Sequence, residues 1–362
     1  MTLTAALLLR GVNMPNERVL LGLSGGADST YAVARLRENG YLVEGAVLKM
    51  HEYTDVEAAR ISAAELGIPL HEIDCREEFS RIVMQNFAEE YKMARTPNPC
   101  IVCNREIKFK YLLEYAREHG FDRIATGHYA RICTVETEKG VRYAVQRAMD
   151  IKKDQSYMLY RLTQEQMQML LFPLADCEKT QVREHLVRVG LSAAKKGDSQ
   201  EICFIPDGDY ASFVEKRVGK TLRGNFIDRS GTVIGTHEGI VHYTVGQRKG
   251  LGISLGERAF VTEINPQTDT VTLDTSPKYS STVYISDIVF SGIPEPRKPF
   301  KKSVKVKLRY AALPIEAEAN LFPDGHGILT LGEPQKSVTP GQSAVLYDGE
   351  TVVAGGFIDA SE

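Results

Sequence analysis

The sequence predicts an α/β protein: an N-terminal doubly wound parallel sheet, then a small mostly β linking domain, then a C-terminal β-barrel. Three observations predict it. Apolar runs and helical stretches alternate over residues 17–130, the pattern of a parallel sheet covered by helices on both faces. After about Val218 the texture changes to short β-rich runs separated by Gly, Asn-Pro, Ser-Pro and Asp-Gly turns. Pro294, Pro296 and Pro299 then mark the entry to a last stretch, from Tyr284 on, of the size of a six-stranded barrel. The 362 residues suffice for two or three domains with a sizeable core. We divide them into an extension (1–16), a sheet domain (17–210), a linking domain (211–282) and a barrel (283–362).

The elements follow in order. The run Val19-Leu20-Leu21-Gly22 reads as a buried strand, and helical spacing over 30–39 stops at Gly40, a good helix terminator. Residues 42–49 read as a second strand, 55–66 as an amphipathic helix ended by Gly67, and 70–73 as a third strand. Residues 77–95 and 105–119 read as helices, the second ended by Gly120. A strand at 123–126 then runs into Gly127-His128. Helical signals continue over 164–171 and 180–189. Residues 241–253, with glycines at 246, 250, 252 and 256 in or just beyond them, read as a compact linking module.

Ligands of such sheets sit beyond the carboxyl ends of the strands. That edge would carry Leu48, Gly127 and the loop Leu23-Ser24-Gly25-Gly26-Ala27-Asp28-Ser29. A strand, then Ser-Gly-Gly-x-Asp-Ser, then a helix makes a cradle for pyrophosphate. The glycines let backbone approach an anion, and the first N–H groups of the helix point at it. Ser24 and Ser29 add hydroxyls, and Asp28 is the candidate holder of a magnesium ion on the phosphates. The loop has no Gly-Lys-Ser/Thr, so it is not the Walker loop. A grip on the two outer phosphates suits an enzyme that expels pyrophosphate and keeps AMP on its substrate.

Composition narrows the class. A hydrophobic share of 43% and a charged share of 25% are those of an ordinary soluble protein, without an apolar run long enough for a membrane span. Residues 1–10 lack the basic region and cleavage site of a signal peptide. The six cysteines (75, 100, 103, 133, 177 and 203) are too scattered for a disulfide framework, which predicts a reducing cytoplasm. A net charge of −3 argues against general nucleic-acid affinity but not against a basic patch. One lies at 297–309, where Lys305, Lys307 and Arg309 alternate with Val304, Val306 and Leu308. As a strand this puts three cations on one face and three apolar residues on the other. Such a run is ordinarily the solvated face of a barrel strand.

Two segments place cysteines in chemical settings. In Arg95-Thr96-Pro97-Asn98-Pro99-Cys100-Ile101-Val102-Cys103-Asn104, two prolines predict a rigid loop ahead of a helix beginning near Arg105. Cys103 is thereby expected close to a helix N-terminus, where the dipole favours thiolate. In Gly197-Asp198-Ser199-Gln200-Glu201-Ile202-Cys203-Phe204 the cysteine sits in a polar, loop-like context. Cys75, Cys133 and Cys177 read as small buried hydrophobes. Cys100 and Cys103 have the spacing of a zinc half-site, but no second pair of suitable spacing completes it.

The Ser24–Ser29 loop resembles the PP-loop of the ATP pyrophosphatases, the adenine nucleotide α-hydrolase-like domain. Nearly the whole chain resembles the tRNA-specific 2-thiouridylases, which replace the 2-oxygen of the wobble uridine with sulfur. The resemblance rests on the loop from Gly22 and on Thr96-Pro97-Asn98-Pro99 with Cys103-Asn104 and Ile107-Lys108-Phe109. It continues with Gly127-His128-Tyr129-Ala130-Arg131, Lys153-Asp154-Gln155-Ser156-Tyr157, and Asp198-Ser199 with Ile202-Cys203-Phe204. Tyr243-Thr244-Val245-Gly246-Gln247-Arg248, Arg309-Tyr310 and Pro340-Gly341-Gln342 complete it.

The resemblance implies that Gly22, Leu23, Ser24, Gly25, Gly26, Ala27, Asp28, Ser29, Leu48 and Gly127 hold ATP. Cys203 would carry a persulfide sulfur, and Cys103 would attack that persulfide or close a disulfide with Cys203. Asn98, Pro99 and Cys100 would meet the target base. His128, Lys153, Asp154, Gln155, Arg309, Tyr310 and Gln342 would contact the tRNA at its anticodon stem-loop, and the basic strand would contact phosphate. A cysteine desulfurase or a sulfur-relay protein would supply the sulfur. Many family members have Asp where this chain has Cys100, which leaves that residue's acid/base duty without its usual group. The change also creates a three-thiol set, Cys100, Cys103 and Cys203, and some relatives that thiolate tRNA hold an iron–sulfur cluster on three cysteines. Two other readings compete. A metabolite synthetase of the same superfamily leaves the cysteines and the basic barrel unused. A non-catalytic RNA-binding module leaves the intact phosphate loop unused.

Overall fold

The computed structural model describes residues 16–197, 202–253 and 258–362. The expected extension at 1–16 therefore lies almost wholly outside the described residues, as do Asp198, Ser199 and Gly256. The apolar run at the start becomes the central strand Arg18–Gly22 of a five-stranded sheet. The strand order is Leu70–Asp74, Leu42–Lys49, Arg18–Gly22, Arg123–Thr126 and Leu170–Leu171, with every pairing parallel. Alternate residues of the central strand feed opposite faces. Val19 and Leu21 pack with Ala32, Val33 and Leu36 of the helix Ala27–Glu38, and Leu20 packs with Phe87, Phe109 and Leu112 on the other side. The strand order reverses between Arg18–Gly22 and Arg123–Thr126, so a crevice opens where Ser24 and Gly127 begin.

The helix expected at 164–171 ends sooner. It covers Gln164–Met169, and Leu170–Leu171 extends the sheet as its fifth strand. The hairpin Arg131–Thr137 and Gly140–Gln146 leaves the sheet and attaches to the last barrel strand through Gln146 opposite Thr351.

The linking domain is a four-stranded sheet whose core is Phe226, Tyr243, Val261, Val271 and Leu273. The barrel has the expected six strands: Tyr279–Phe290, Phe300–Lys307, Ile315–Leu321, Gly327–Lys336, Ser343–Asp348 and Thr351–Ser361. Pairing of the first with the last closes it. Val345, Tyr347 and Val352 of the barrel belong to the same apolar cluster as Leu20, Phe109 and Tyr157. Barrel and sheet domain thus share one core. Among the described residues no helix is long and apolar enough to cross a membrane.

Candidate active site

The phosphate loop forms as its sequence demands. Gly25 has φ +69°, and a Cβ there would come within 2.4 Å of the Ala58 carbonyl. Only glycine meets both conditions. Gly127 closes the other side, where a Cβ would lie 2.7 Å from the Ser29 nitrogen and 2.8 Å from the Asp28 carbonyl carbon. The Ser29 hydroxyl donates to the Gly26 carbonyl at 3.1 Å and accepts from the Ser24 N–H at 3.2 Å. No side chain caps the helix at Gly26, so its first N–H groups remain available to an anion. Leu48, at the end of its strand, is buried beside this edge.

Asp28 is already engaged. Both its oxygens accept from the Lys179 ammonium at 2.7 Å, and Oδ1 also accepts from the Tyr129 hydroxyl at 2.8 Å. The carboxylate expected to face a magnesium ion is here half of a buried-side ion pair.

The cysteine helix begins earlier than expected. Asn98 is its N-cap, accepting from the Cys100 N–H at 3.2 Å, and Pro99 occupies the first helical position. Cys100, not Cys103, therefore sits in the first turn, and it is exposed. Cys103 is interior, 5% exposed, with its Sγ 3.8 Å from the Met50 sulfur. Burial pushes its thiol up to about 12, with Lys108 pulling the other way. The expected dipole-stabilised thiolate is thus overturned at Cys103, because desolvation of a buried charge outweighs the dipole.

The helix passes through a π turn at Asn104–Lys108 before continuing as Phe109–Glu118. In a regular α-helix, residues five apart point roughly 140° away from each other. The wider π turn brings positions i and i+5 back to one side. Lys108 consequently serves the cysteines. Burial works against its ammonium, but Cys103, Cys100 and Cys203 outweigh that and its pKa is raised. Cys203 is exposed, and the crowding around its sulfur raises its pKa while Lys108 lowers it. His128 stands on the far side of Lys108. Burial, then Lys108, push the imidazole down to about 3, so it is neutral at physiological pH. Its Nδ1 lies 2.7 Å from the Thr126 hydroxyl. A continuous path therefore runs from Ser29 through Gly127 and His128 to Lys108 and the three thiols.

The residues expected to touch tRNA divide into two sets. His128, Lys153, Arg309 and Tyr310 are only partly buried, with Arg309 donating to the Lys336 carbonyl at 3.3 Å and to the Ser337 carbonyl. Burial, then Asp154, raise the Tyr310 hydroxyl, which also lies within electrostatic reach of Lys153 and Cys100. This brings the barrel up to the first turn of the cysteine helix. The other three, Asp154, Gln155 and Gln342, have their polar side-chain atoms bonded to backbone of neighbouring turns. Asp154 is 3% exposed and accepts from the N–H groups of Ala148 and Ser156 and from the Ser156 hydroxyl. Its carboxylate shapes the 153–156 turn instead of facing out. Gln155 clamps Tyr129, accepting from its N–H at 2.9 Å through Oε1 and donating its own N–H to its carbonyl at 2.8 Å. Gln342 donates to the Thr96 carbonyl at 2.7 Å, and the Thr96 N–H donates to Pro340 at 2.8 Å. The barrel thus anchors the loop that leads to Asn98 and Pro99.

The basic strand departs from its pattern. Alternation holds to Val306, but Lys307 is 6% exposed, its ammonium 5.7 and 5.6 Å from the Tyr157 and Tyr310 ring centres. Lys305 is exposed and pairs with Glu316 at 3.6 Å, Lys301 with Glu318 at 3.1 Å and Lys302 with Asp348 at 2.7 Å. The strand is a charge-balanced face, not an open cationic stripe. Lys307→Ala is expected to lower Tm by roughly 2–4 °C, since a buried cation–π contact is worth about 1–2 kcal/mol. Lys305→Ala should leave Tm and the salt dependence of RNA binding nearly unchanged. Melting curves and filter-binding titrations at several salt concentrations check both.

All six cysteines are free, so the disulfide expected between Cys103 and Cys203 is not formed here. Among the described residues no three His, Cys, Asp or Glu side chains are gathered as a metal site. Cys100, Cys103 and Cys203 do not fit a cluster as they stand.

Comparison with known proteins follows this geometry. The family described as tRNA methyl transferase HUP domain matches residues 17–207. The tRNA methyl transferase PRC-barrel domain matches 211–274, and the aminomethyltransferase beta-barrel domain matches 280–358. The tRNA-specific 2-thiouridylase MnmA of Acetivibrio thermocellus is 43% identical, covering 95% of this chain and all of that one. That of Clostridioides difficile is 40% identical over 96% of this chain and 99% of that one. The chain belongs to the tRNA-specific 2-thiouridylase family.

Among solved structures, the U34-tRNA thiolase NcsA of Methanococcus maripaludis, with its 4Fe-4S cluster, is similar at 20% identity and a TM-score of 0.36. That match covers 58% of this chain and 70% of that one. A 4-thiouridine synthetase–RNA complex with bound ATP is similar at 18% identity and a TM-score of 0.37, over 56% and 50% of the two chains.

Two residues of this 2-thiouridylase family member escaped the sequence reading as site residues, Lys108 and Lys179. The first needs the π turn to be seen. The second had a signal: a lysine in the first turn of the helix Lys179–Arg188 opposes the helix dipole, so something other than the helix holds it there. The thiol environments also predict an order of reactivity. Iodoacetamide at neutral pH should modify exposed Cys100 and Cys203 first and leave Cys103 and Cys75, both pushed up to about 12, unmodified in the folded protein. Peptide mass mapping over time checks this; early labelling of Cys103 would contradict the buried thiol.

Proposed function

We propose that this protein is an ATP-dependent tRNA-uridine 2-sulfurtransferase acting on the wobble uridine. The observation that carries the reading is the path just described, which joins a pyrophosphate cradle to three thiols around one lysine. The relatives' name supports the substrate. In the first step the uracil 2-oxygen attacks the α-phosphorus of ATP. An O–P bond forms, the α–β anhydride bond breaks and pyrophosphate leaves. The resulting AMP ester turns a poor leaving group into a good one. A sulfur donor, a cysteine desulfurase or a sulfur-relay protein, has by then placed a persulfide on Cys203. Its outer sulfur attacks C2, and AMP departs with the C–O electron pair. Cys103 takes the Cys203 sulfur as the S–S bond breaks. The products are 2-thiouridine, AMP and a Cys103–Cys203 disulfide, which a thiol reductant must reopen.

The chain's own residues supply the setting. The loop from Gly22 to Ser29, with Leu48 and Gly127, binds the nucleotide. Magnesium enters with ATP, and Asp28 offers it a hard oxygen ligand. Lys108 stabilises thiolate and persulfide charge, while neutral His128 adds no competing cation. Asn98, Pro99 and Cys100 meet the splayed-out base, as single-stranded loops permit. Lys153, Arg309 and Tyr310 face the tRNA, with Asp154, Gln155 and Gln342 holding the loops that carry the site. The protein works in the reducing cytoplasm, where its thiols stay reduced.

Two assays test this. ATP–pyrophosphate exchange should require tRNA; exchange without tRNA, or with a small metabolite in its place, would favour a metabolite synthetase. Thiouridine formation by anaerobically purified protein, given ATP, unmodified tRNA and a cysteine desulfurase with cysteine as the persulfide source, should survive iron chelation. Activity that vanishes with iron would replace the persulfide route by a cluster on Cys100, Cys103 and Cys203.

A further inference from the structure

The turn that follows the strand Leu42–Lys49 touches every part of the site. Met50 meets the Cys103 sulfur at 3.8 Å. The His51 ring centre lies 5.5 Å from that of Phe79, and Phe79 lies 5.6 Å from Phe204, the neighbour of exposed Cys203. Asp55 caps the helix Val56–Leu66, whose Ala58 carbonyl would stand 2.4 Å from a Cβ on Gly25 of the phosphate loop. At the apex stands Tyr53, 55% exposed, with its ring centre 6.2 Å from that of His51 and its hydroxyl within electrostatic reach of Asp207. A chain of four rings, Tyr53, His51, Phe79 and Phe204, thus leads from the surface to the segment that carries Cys203.

The turn is fixed in place. The Thr54 hydroxyl oxygen accepts from the Met50 and His51 N–H groups at 3.2 Å each, and the Thr54 N–H donates to the His51 carbonyl at 3.1 Å. Asp55 accepts from the Lys196 ammonium at 2.7 Å. A tyrosine on such a turn offers a broad, flat surface and loses little side-chain freedom on binding. Its exposed neighbours Glu52 and Asp207 are acidic and repel phosphate, so the ring suits the uncharged face of a base. An anticodon loop supplies one. Its bases stack on one another, and drawing the wobble uridine out to Asn98 and Pro99 leaves its neighbour with a bare face. An aromatic side chain restores that stack.

We infer that Tyr53 is a stacking platform for an unpaired base of the tRNA, the immediate neighbour of the wobble uridine. The ring makes the contact and the hydroxyl takes no part. This rests on reading the protein as a tRNA-uridine 2-sulfurtransferase.

The test is fluorescence-anisotropy titration of a synthetic anticodon stem-loop RNA with the full chain at several salt concentrations. The variants are Tyr53→Ala and Tyr53→Phe. The RNAs are the intact stem-loop and two forms with an abasic nucleotide on one or the other side of the wobble uridine. Tyr53→Ala should weaken binding of the intact RNA roughly 5- to 100-fold, the worth of one stacked base. The slope of log affinity against log salt should not change, because no phosphate contact is lost. Tyr53→Phe should bind as the native protein does, and on one of the abasic RNAs the Tyr53→Ala loss should vanish. Unchanged affinity with Tyr53→Ala overturns the inference, and so does a loss that persists on both abasic RNAs. Calorimetry with magnesium-ATP and desulfurase-fed thiolation are measured alongside. Weaker ATP binding with RNA affinity intact assigns the ring to adenine, and slower thiolation with both affinities intact assigns it to the sulfur donor; either result overturns the inference. Should Tyr53→Ala not fold, Tyr53→Leu is titrated in its place with the same criteria. A native protein that does not bind the intact stem-loop sinks the tRNA reading itself, and the inference with it.

Discussion

Replacing Cys203 with serine is expected to reduce tRNA thiolation to background, a loss of roughly 10³-fold or more, as removal of a nucleophile does in other enzymes. A hydroxyl cannot carry the transferable sulfur, and nothing else exposed near Lys108 except Cys100 offers a thiol. ATP and tRNA affinities should stay within about twofold, because Cys203 is exposed and serine keeps its volume. ATP–pyrophosphate exchange should also continue, since adenylation precedes sulfur transfer. The measurements are thiouridine per tRNA, exchange rate and tRNA affinity on the same preparation. Parallel loss of tRNA binding would remove Cys203 from the chemistry and make it a docking residue. Residual thiolation abolished only by adding Cys100→Ser would show that the two exposed thiols substitute for one another.

Gly127→Ala carries the second large effect, and its cause is steric. The added methyl would meet the Ser29 nitrogen at 2.7 Å, the Asp28 carbonyl carbon at 2.8 Å and the Ser29 Cα at 3.0 Å, all backbone. Backbone cannot swing aside as a side chain can, so the first turn of the phosphate helix must move. Overpacking of this kind costs about 1–3 kcal/mol. Spent against the bound geometry, that is roughly a 10- to 100-fold loss of ATP affinity. The control is Gly67→Ala, where the left-handed φ of +59° costs about 1 kcal/mol but nothing lies within 4 Å of the new methyl. Calorimetry with ATP should separate the two: both variants lose some stability, and only Gly127→Ala loses nucleotide. Equal ATP affinity in both would mean that the loop tolerates displacement and that Gly127 is not part of its wall.

Several features were legible because neighbouring residues along the chain suffice to make them. The central strand needs only its apolar run, and the phosphate loop needs only glycines where backbone approaches backbone. The six-stranded barrel was visible in short β-rich runs separated by turn residues. The start of the cysteine helix was misplaced although its signal was present. Asn98 before Pro99 is a cap followed by a favoured first position, but two prolines equally suit a rigid loop ahead of a later helix. Asp154 and Gln342 read as surface contacts because a polar side chain in a motif does not reveal whether it faces water or a neighbouring turn.

The sequence by itself determined the fold class, the family and the position of the nucleotide loop, all of which rest on local pattern and residue order. Only the tertiary structure decided which charges and thiols are exposed, because burial is set by residues far apart in the chain. Cys103 is a protonated thiol because Met50 and the sheet core cover it. Lys307 turns inward because Tyr157 from the sheet domain and Tyr310 from the barrel receive it. Asp28 is paired because Lys179, 151 residues later, is folded back onto it. Desolvation and Coulomb attraction act through space, and no spacing along the chain records them.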